Sequence, residues 1–114
     1  MKRAVSVLAV LFLFSACSKQ EGVLGRFERR EVLSIAAAKA AAQTPLNLAG
    51  KLVEKCPVAG CWFYVEDATG RIKVDTRNAG FVVLDVPIGT RLEVSGTLRR
   101  DGAERIIEAQ GLRF

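Results

Sequence analysis

The sequence predicts a mainly β protein in which one short helix precedes a small barrel of five strands. Apolar residues recur at every second position in several segments after Pro45, which is the period of half-buried strands. Two of these segments carry a central glycine, Gly50 and Gly96. Glycine inside a strand is favoured where the strand bends sharply or bulges. Short strands that can bend favour a closed barrel over a flat sheet.

The first sixteen residues have the pattern of a bacterial export signal. Two basic residues are followed by an apolar run over residues 4–14 and by small residues before Cys17. Such a segment is removed on export and is too short to span a membrane stably. The string FSAC at residues 14–17 resembles a lipobox, in which cleavage leaves an acylated cysteine. We therefore expect residues 1–16 to be a lipoprotein signal peptide and Cys17 to carry the lipid.

A lipid on Cys17 implies a bacterial envelope protein that is anchored to a membrane and faces the periplasm. Ser18 stands where Asp would retain a lipoprotein at the inner membrane in enterobacterial systems, which indicates the outer membrane. Residues 17–26 are polar and contain glycine, with no hydrophobic period, and we expect a flexible tether there. Residues 27–114 then form the folded domain.

The helix is expected within residues 27–43, which are rich in helix-forming residues. Ser34 is a suitable N-cap, so the best-defined part is residues 35–43. Thr44 and Pro45 end the helix, because the residue before a proline is disfavoured in the helical region.

The barrel is expected to cover about residues 46–114. Turns are predicted at residues 67–70 and at Asp101-Gly102, where Gly and Asp favour tight hairpins. The predicted strands lie near residues 46–52, 61–65, 72–74, 92–98 and 105–114. Five strands that coil into a barrel, with one helix placed to cover an end, describe the oligonucleotide/oligosaccharide-binding (OB) fold.

Several segments are similar to the bacterial OB-fold (BOF) family of exported proteins. They are SIAAAK at 34–39, LNLAGKL at 46–52, FYVEDATGRIKVD at 63–75 and LEVSG at 92–96. The resemblance implies a helix packed on a five-stranded barrel, an envelope location and a binding role. The C-x3-G-C-W loop at residues 56–62 resembles instead another group of small exported OB-like proteins of unknown function. Both resemblances imply the same barrel.

Composition limits the function. Removal of 16 of the 114 residues leaves 98, enough for one small domain. The mature chain has 15 basic and 12 acidic residues, so its net charge of +3 favours anionic partners without the dense basic stripe of a dedicated nucleic-acid binder. It contains no histidine and no nucleophile-elbow string around its serines. We therefore expect no enzyme activity, no catalytic residue, no metal site and no cofactor.

A ligand-binding face is predicted on the second and third strands. If Phe63 and Val65 point inward, the neighbouring residues of both strands point outward. The predicted ligand contacts are Trp62, Tyr64, Arg71, Lys73 and Arg77. In OB barrels this face is the usual ligand platform, where flat rings stack on bases or sugars and cations meet anions. The alternative is that Trp62 is covered by the preceding loop and that the cations are ordinary solvated strand residues.

Cys56 and Cys61 remain as a pair once Cys17 is assigned to the lipid. In an oxidising compartment their simplest role is a disulfide, which would stabilise so short a loop by about 2 kcal/mol. The alternative is reversible thiol chemistry or capture of copper(I) by two thiolates.

These observations favour a lipid-anchored OB-fold binding module for an anionic or sugar-rich envelope ligand or a protein partner. A periplasmic thiol-redox or copper-handling protein that uses Cys56 and Cys61 is the alternative from a different class. A single-stranded nucleic-acid-binding OB domain is a further alternative. Nucleic acid is not the expected partner, because the export signal takes the domain to a compartment where such polymers are scarce. The oligomeric state is open.

Overall fold

The computed structural model describes residues 22–42 and 44–114. The expected signal peptide, the expected lipidation site at Cys17 and the predicted tether up to residue 21 lie outside the described residues. The elements are, in chain order, β1 Val23–Gly25, β2 Val32–Leu33, α1 Ile35–Ala40, β3 Leu46–Lys55, β4 Trp62–Asp67, β5 Gly70–Asp75, β6 Arg91–Asp101 and β7 Glu104–Arg113. No helix within these ranges is long and apolar enough to cross a membrane.

Strands β3 to β7 close into a barrel. Strand β4 pairs with β3 and β5, β6 pairs with β3 and β7, and a parallel pairing of β5 with β7 completes the ring. The order β3-β4-β5-β7-β6 and back to β3 is that of the OB fold, so the predicted fold class is confirmed. The interior holds the alternate apolar residues of these strands, among them Phe63, Val65, Ile72, Val74 and Val94.

The pairing of β6 with β7 contains a bulge beside Gly96, the central glycine of β6. The register of β6 against β7 shifts between Ser95 and Gly96. Gly96 is buried, and a Cβ atom on it would collide with the carbonyl oxygen of Glu108. A bulge increases the local bend of a strand. The extra residue here is Gln110 of β7, which lies between the partners of Gly96 and Ser95, so β7 bends at this point.

Residues 22–26 are not a free tether, and that part of the prediction is wrong. Strand β1 pairs antiparallel with the end of β7. The backbone N–H of Gly22 donates to the Phe114 carbonyl at 2.7 Å, and that of Arg26 donates to the Gln110 carbonyl at 2.8 Å. Strand β5 pairs with β7 only near Ile107, so the end of β7 has a free edge that β1 occupies.

The helix is shorter than predicted. It spans Ile35–Ala40 and begins at Ser34, whose hydroxyl accepts the Ala37 N–H as the predicted N-cap. The turn between β4 and β5 satisfies two further N–H groups: Asp67 accepts from Ile35 at 2.9 Å, and Thr69 accepts from Ala36 at 3.0 Å. Partial burial acts to raise the pKa of Asp67, but the hydrogen bonds that it accepts from Thr69, Ile35 and Gly70 hold it below the ordinary value. The helix is thereby attached to the β4–β5 hairpin.

Candidate ligand-binding face

Strands β4 and β5 present alternate residues to the interior and to the outside, as predicted. Phe63 and Val65 are fully buried in the barrel, whereas the alternate residues Trp62 and Tyr64 are half-buried on the outer face. Opposite Tyr64 in the register lies Lys73. Outward residues two positions apart on paired strands lie within reach of each other diagonally. This spacing sets the contacts of the two rings.

The two aromatic rings are each paired with a cation from β5. The Arg71 guanidinium lies 4.3 Å from the centroid of the Tyr64 ring, and the Lys73 ammonium lies 5.3 Å from that of the Trp62 ring. The two rings meet edge to face, with centroids 5.9 Å apart and an interplanar angle of 82°. We call Trp62, Tyr64, Arg71 and Lys73 the aromatic–cation face. The structure thus brings together four of the five predicted ligand contacts.

Two carboxylates border the aromatic–cation face. Arg71 forms an ion pair with Glu54 of β3 at 2.9 Å, and the Tyr64 hydroxyl donates to Glu104 at 3.3 Å. Burial and the negative charge of Glu104 raise the pKa of Tyr64. The phenol therefore stays protonated at neutral pH and keeps its role as a donor. Lys73 forms no ion pair with any residue in the described part of the chain, so its charge is available to a ligand.

A cleft of about 380 Å³ continues from the Arg71 end of this face. We call it the basic cleft; it is lined by Lys39, Arg71, Ile72, Ala103, Glu104 and Arg105. Three cations and one carboxylate make the lining electropositive. The Arg105 guanidinium donates to the Lys39 carbonyl at 2.7 Å, which connects β7 to the end of the helix.

Lys39, Glu104 and Arg105 are not among the ligand contacts predicted from the sequence. Arg105 follows the Asp101-Gly102 turn that the sequence did predict, but the turn alone does not show which strand the hairpin lies beside. The parallel pairing of β5 with β7 supplies that neighbour. The strand order of the OB fold was the signal that could have placed Arg105 near Arg71.

Arg77, the fifth predicted ligand contact, binds a buried carboxylate and does not join the other four residues. Its guanidinium binds Asp75 through Nε at 3.1 Å and Nη2 at 2.6 Å, and Arg99 of β6 reaches the same carboxylate at 3.0 Å. Asp75 is only 4% exposed. The hydrogen bonds from Arg77 hold the pKa of Asp75 below its ordinary value, and the nearby Arg99 charge adds to the effect. Arg77 thus compensates a buried charge and is not part of the aromatic–cation face.

The predicted disulfide is not formed in the structure, where Cys56 and Cys61 are both free and half-buried. Backbone hydrogen bonds close their loop instead. The Cys56 N–H donates to the Trp62 carbonyl at 3.0 Å, and the Gly60 N–H donates to the Cys56 carbonyl at 3.2 Å. The loop therefore keeps its shape without a covalent link. Within residues 22–42 and 44–114, no group of three or more His, Cys, Asp or Glu side chains could hold a metal ion.

Comparison with known proteins supports the fold. No protein-family model matches the chain. The chain is 28% identical over 109 residues to the calcium-regulated OB-fold protein CarO of Pseudomonas aeruginosa, with 95% of this chain and 92% of that protein covered. It also superposes on the hypothetical protein YgiW of Escherichia coli with a TM-score of 0.55 and 22% identity, over 81% of this chain and 96% of that one. The chain thus has the OB fold and is similar to bacterial OB-fold proteins.

Proposed function

We propose that the protein is a binding module of the bacterial envelope that holds an anionic, sugar-containing polymer on its aromatic–cation face. In this proposal a lipid on Cys17 anchors it in the outer membrane, and the barrel faces the periplasm. The proposal depends on one observation: the rings of Trp62 and Tyr64 point outward, and each lies beside a cation of the neighbouring strand. The aromatic–cation face lies on the barrel strands that OB-fold proteins commonly use for ligands.

The chemistry of the face fits a ligand that combines flat surfaces with negative charge. An aromatic ring can pack against the apolar face of a sugar, and an arginine or lysine can bind a carboxylate or phosphate. Arg71 and Lys73 are already held against rings, so less conformational freedom is lost when they bind an anion. The basic cleft extends the positive surface beyond Arg71, which favours a polymer with repeated charges over a single small ion.

The binding proposal is tested by titrating the purified protein with polygalacturonate, an anionic sugar polymer, and with neutral dextran. Trp62 is the only tryptophan of the chain, so its fluorescence reports directly on the proposed face. We expect polygalacturonate to change the fluorescence and dextran to have at most a weak effect. Stacking is worth about 1–3 kcal/mol per ring. In calorimetry, the double variant Trp62→Ala/Tyr64→Ala should therefore bind at least tenfold more weakly.

A charge-matched control separates the site from general attraction. Arg71→Ala should weaken binding, whereas Arg91→Ala should not, because Arg91 is an exposed cation of β6, a strand that pairs with neither β4 nor β5. Equal losses in both variants would mean that net charge alone attracts the polymer. Unchanged binding in the double aromatic variant would refute the assigned face. Tighter binding of single-stranded DNA than of polygalacturonate at 0.15 M salt would replace the proposed ligand class.

The anchor is tested in cells by metabolic labelling with palmitate. The wild-type protein should carry the label and fractionate with the outer membrane. Cys17→Ser should carry none, because acylation requires the thiol. An unlabelled wild-type protein in the cytosolic fraction would contradict the proposed location without affecting the binding proposal.

A further inference from the structure

The loop between β3 and β4 holds two thiols at one end of the aromatic–cation face. We call residues 56–61 the thiol loop. At its end, the Cys61 carbonyl accepts the Thr76 N–H at 2.9 Å and the Gly60 carbonyl accepts the Val83 N–H at 3.0 Å; at its start, the Cys56 N–H donates to the Trp62 carbonyl at 3.0 Å. The backbone bonds of Cys56 to Trp62 and Gly60 close the loop, which places Cys56 beside Cys61. A rigid loop therefore presents a pair of adjacent, half-exposed thiols.

The surroundings of Cys56 stabilise its thiolate. Hydrogen bonding from nearby backbone N–H groups, that of Ala59 most and that of Val58 next, and from the Cys61 side chain favours the charged form of Cys56. These bonds outweigh the effect of desolvation and lower the pKa of Cys56 from 9.0 to about 7. On the other side, the Arg77 guanidinium interacts electrostatically with Cys61.

We propose that Cys56 and Cys61 form a thiol–disulfide exchange site that reacts with disulfides of other molecules. The Cys56 thiolate attacks one sulfur of the incoming disulfide, an S–S bond forms, and the other sulfur leaves as a thiolate that takes up a proton. Cys61 then loses its proton and attacks the Cys56 sulfur, which releases the second thiol of the substrate. The protein loses two electrons and two protons, and the incoming disulfide gains both.

The surroundings of the two thiols fit exchange better than a zinc site. The described residues offer no third His, Cys, Asp or Glu to complete a site with the two thiols, as a four-coordinate zinc ion would require. Copper(I) needs only two thiolates, and its capture is therefore tested below. A stabilised thiolate is instead a good attacking and leaving group, which makes a disulfide between the two residues easier to reduce.

The test uses the full-length protein in detergent, reduced and then exposed to glutathione disulfide at pH 7. The reaction is stopped with acid, the free thiols are alkylated, and peptides are analysed by mass spectrometry. The wild-type protein should form the Cys56–Cys61 disulfide and release two reduced glutathione molecules. Cys61→Ser should stop at a glutathione adduct on Cys56. Cys56→Ser should react at least fivefold more slowly.

The rate of the reaction with glutathione disulfide tests whether the folded loop activates Cys56. At pH 7 a thiol of pKa 7 has about fifty times the thiolate fraction of one of pKa 9, but its nucleophilicity is about tenfold lower. Cys56 of the folded protein should thus react about fivefold faster than Cys56 of the chain unfolded in urea. A structural pair would show no such acceleration.

Three outcomes would overturn the proposal. In the first, Cys61→Ser forms no adduct. In the second, the oxidised protein stays oxidised in a hundredfold excess of reduced glutathione, which would identify a permanent structural disulfide. In the third, the reduced protein binds copper(I) with both thiols and does not exchange. None of these results depends on whether the aromatic–cation face binds a polymer.

Discussion

Gly96→Ala is expected to lower the free energy of unfolding by about 3 kcal/mol. The added Cβ would meet the Glu108 carbonyl oxygen of the paired strand and lie 2.7 Å from the Ile107 side chain. Neither group can move freely, because β7 is bonded to β6 along its length and to β5 near this point. The bulge would have to open, which would separate the two strands that close the barrel. Urea denaturation followed by circular dichroism measures the loss.

Gly102→Ala is the matched control for this prediction. Gly102 has a φ of +64°, and a Cβ there would meet nothing within 4 Å. Its replacement should cost about 1 kcal/mol from backbone strain alone. If both variants lost the same free energy, the close contact at Gly96 would not be the cause of its effect.

Asp75→Asn is expected to lower the free energy of unfolding by about 2 kcal/mol. The variant removes the negative charge that both Arg77 and Arg99 contact. The partners are more exposed than the carboxylate, so water compensates part of the loss. Asp85→Asn is the control, because Asp85 is exposed and forms no ion pair with a described residue. An equal effect of the two substitutions would contradict the structural role of Asp75.

The effect of Asp75 should also depend on pH in a defined direction. Its pKa in the folded protein is below the ordinary value of 3.8. The unfolded chain therefore binds the proton first as the pH falls, and the contribution of Asp75 is complete above about pH 5. It is lost as the pH falls through about 4 and below. The difference between the wild type and Asp75→Asn, measured by denaturation from pH 7 to pH 3, should shrink only at the acid end.

The predictions that held rest on local patterns. Alternation around Phe63 and Ile72 placed the outward side chains correctly, because successive residues of a strand point to opposite sides. Ser34 was identified as the helix cap because an N-cap acts on residues next to it in the sequence. The helix end was wrong by several residues, since Ala41 already leaves the helical conformation and helix-forming composition does not mark where a short helix stops.

Other arrangements involve partners that no local pattern of the sequence shows. Gly22 and Arg26 looked like tether because they have no hydrophobic period, yet their backbone groups bond to β7. Arg77 was counted as a ligand contact, but a carboxylate two residues earlier takes its guanidinium. Cys56 was assigned to a disulfide with Cys61 on the basis of compartment, and in the structure both thiols are free.

By itself the sequence determined the strands of the barrel and the side of β4 and β5 on which the two rings and their cations lie, because a period of two residues is a local property. Only the tertiary structure decided that β1 joins β7, that Lys39 and Arg105 line a cleft beside Arg71, and that Asp75 is buried between arginines of two segments. Those arrangements depend on barrel closure, which brings together residues far apart in the chain and leaves no mark in the pattern of any one strand.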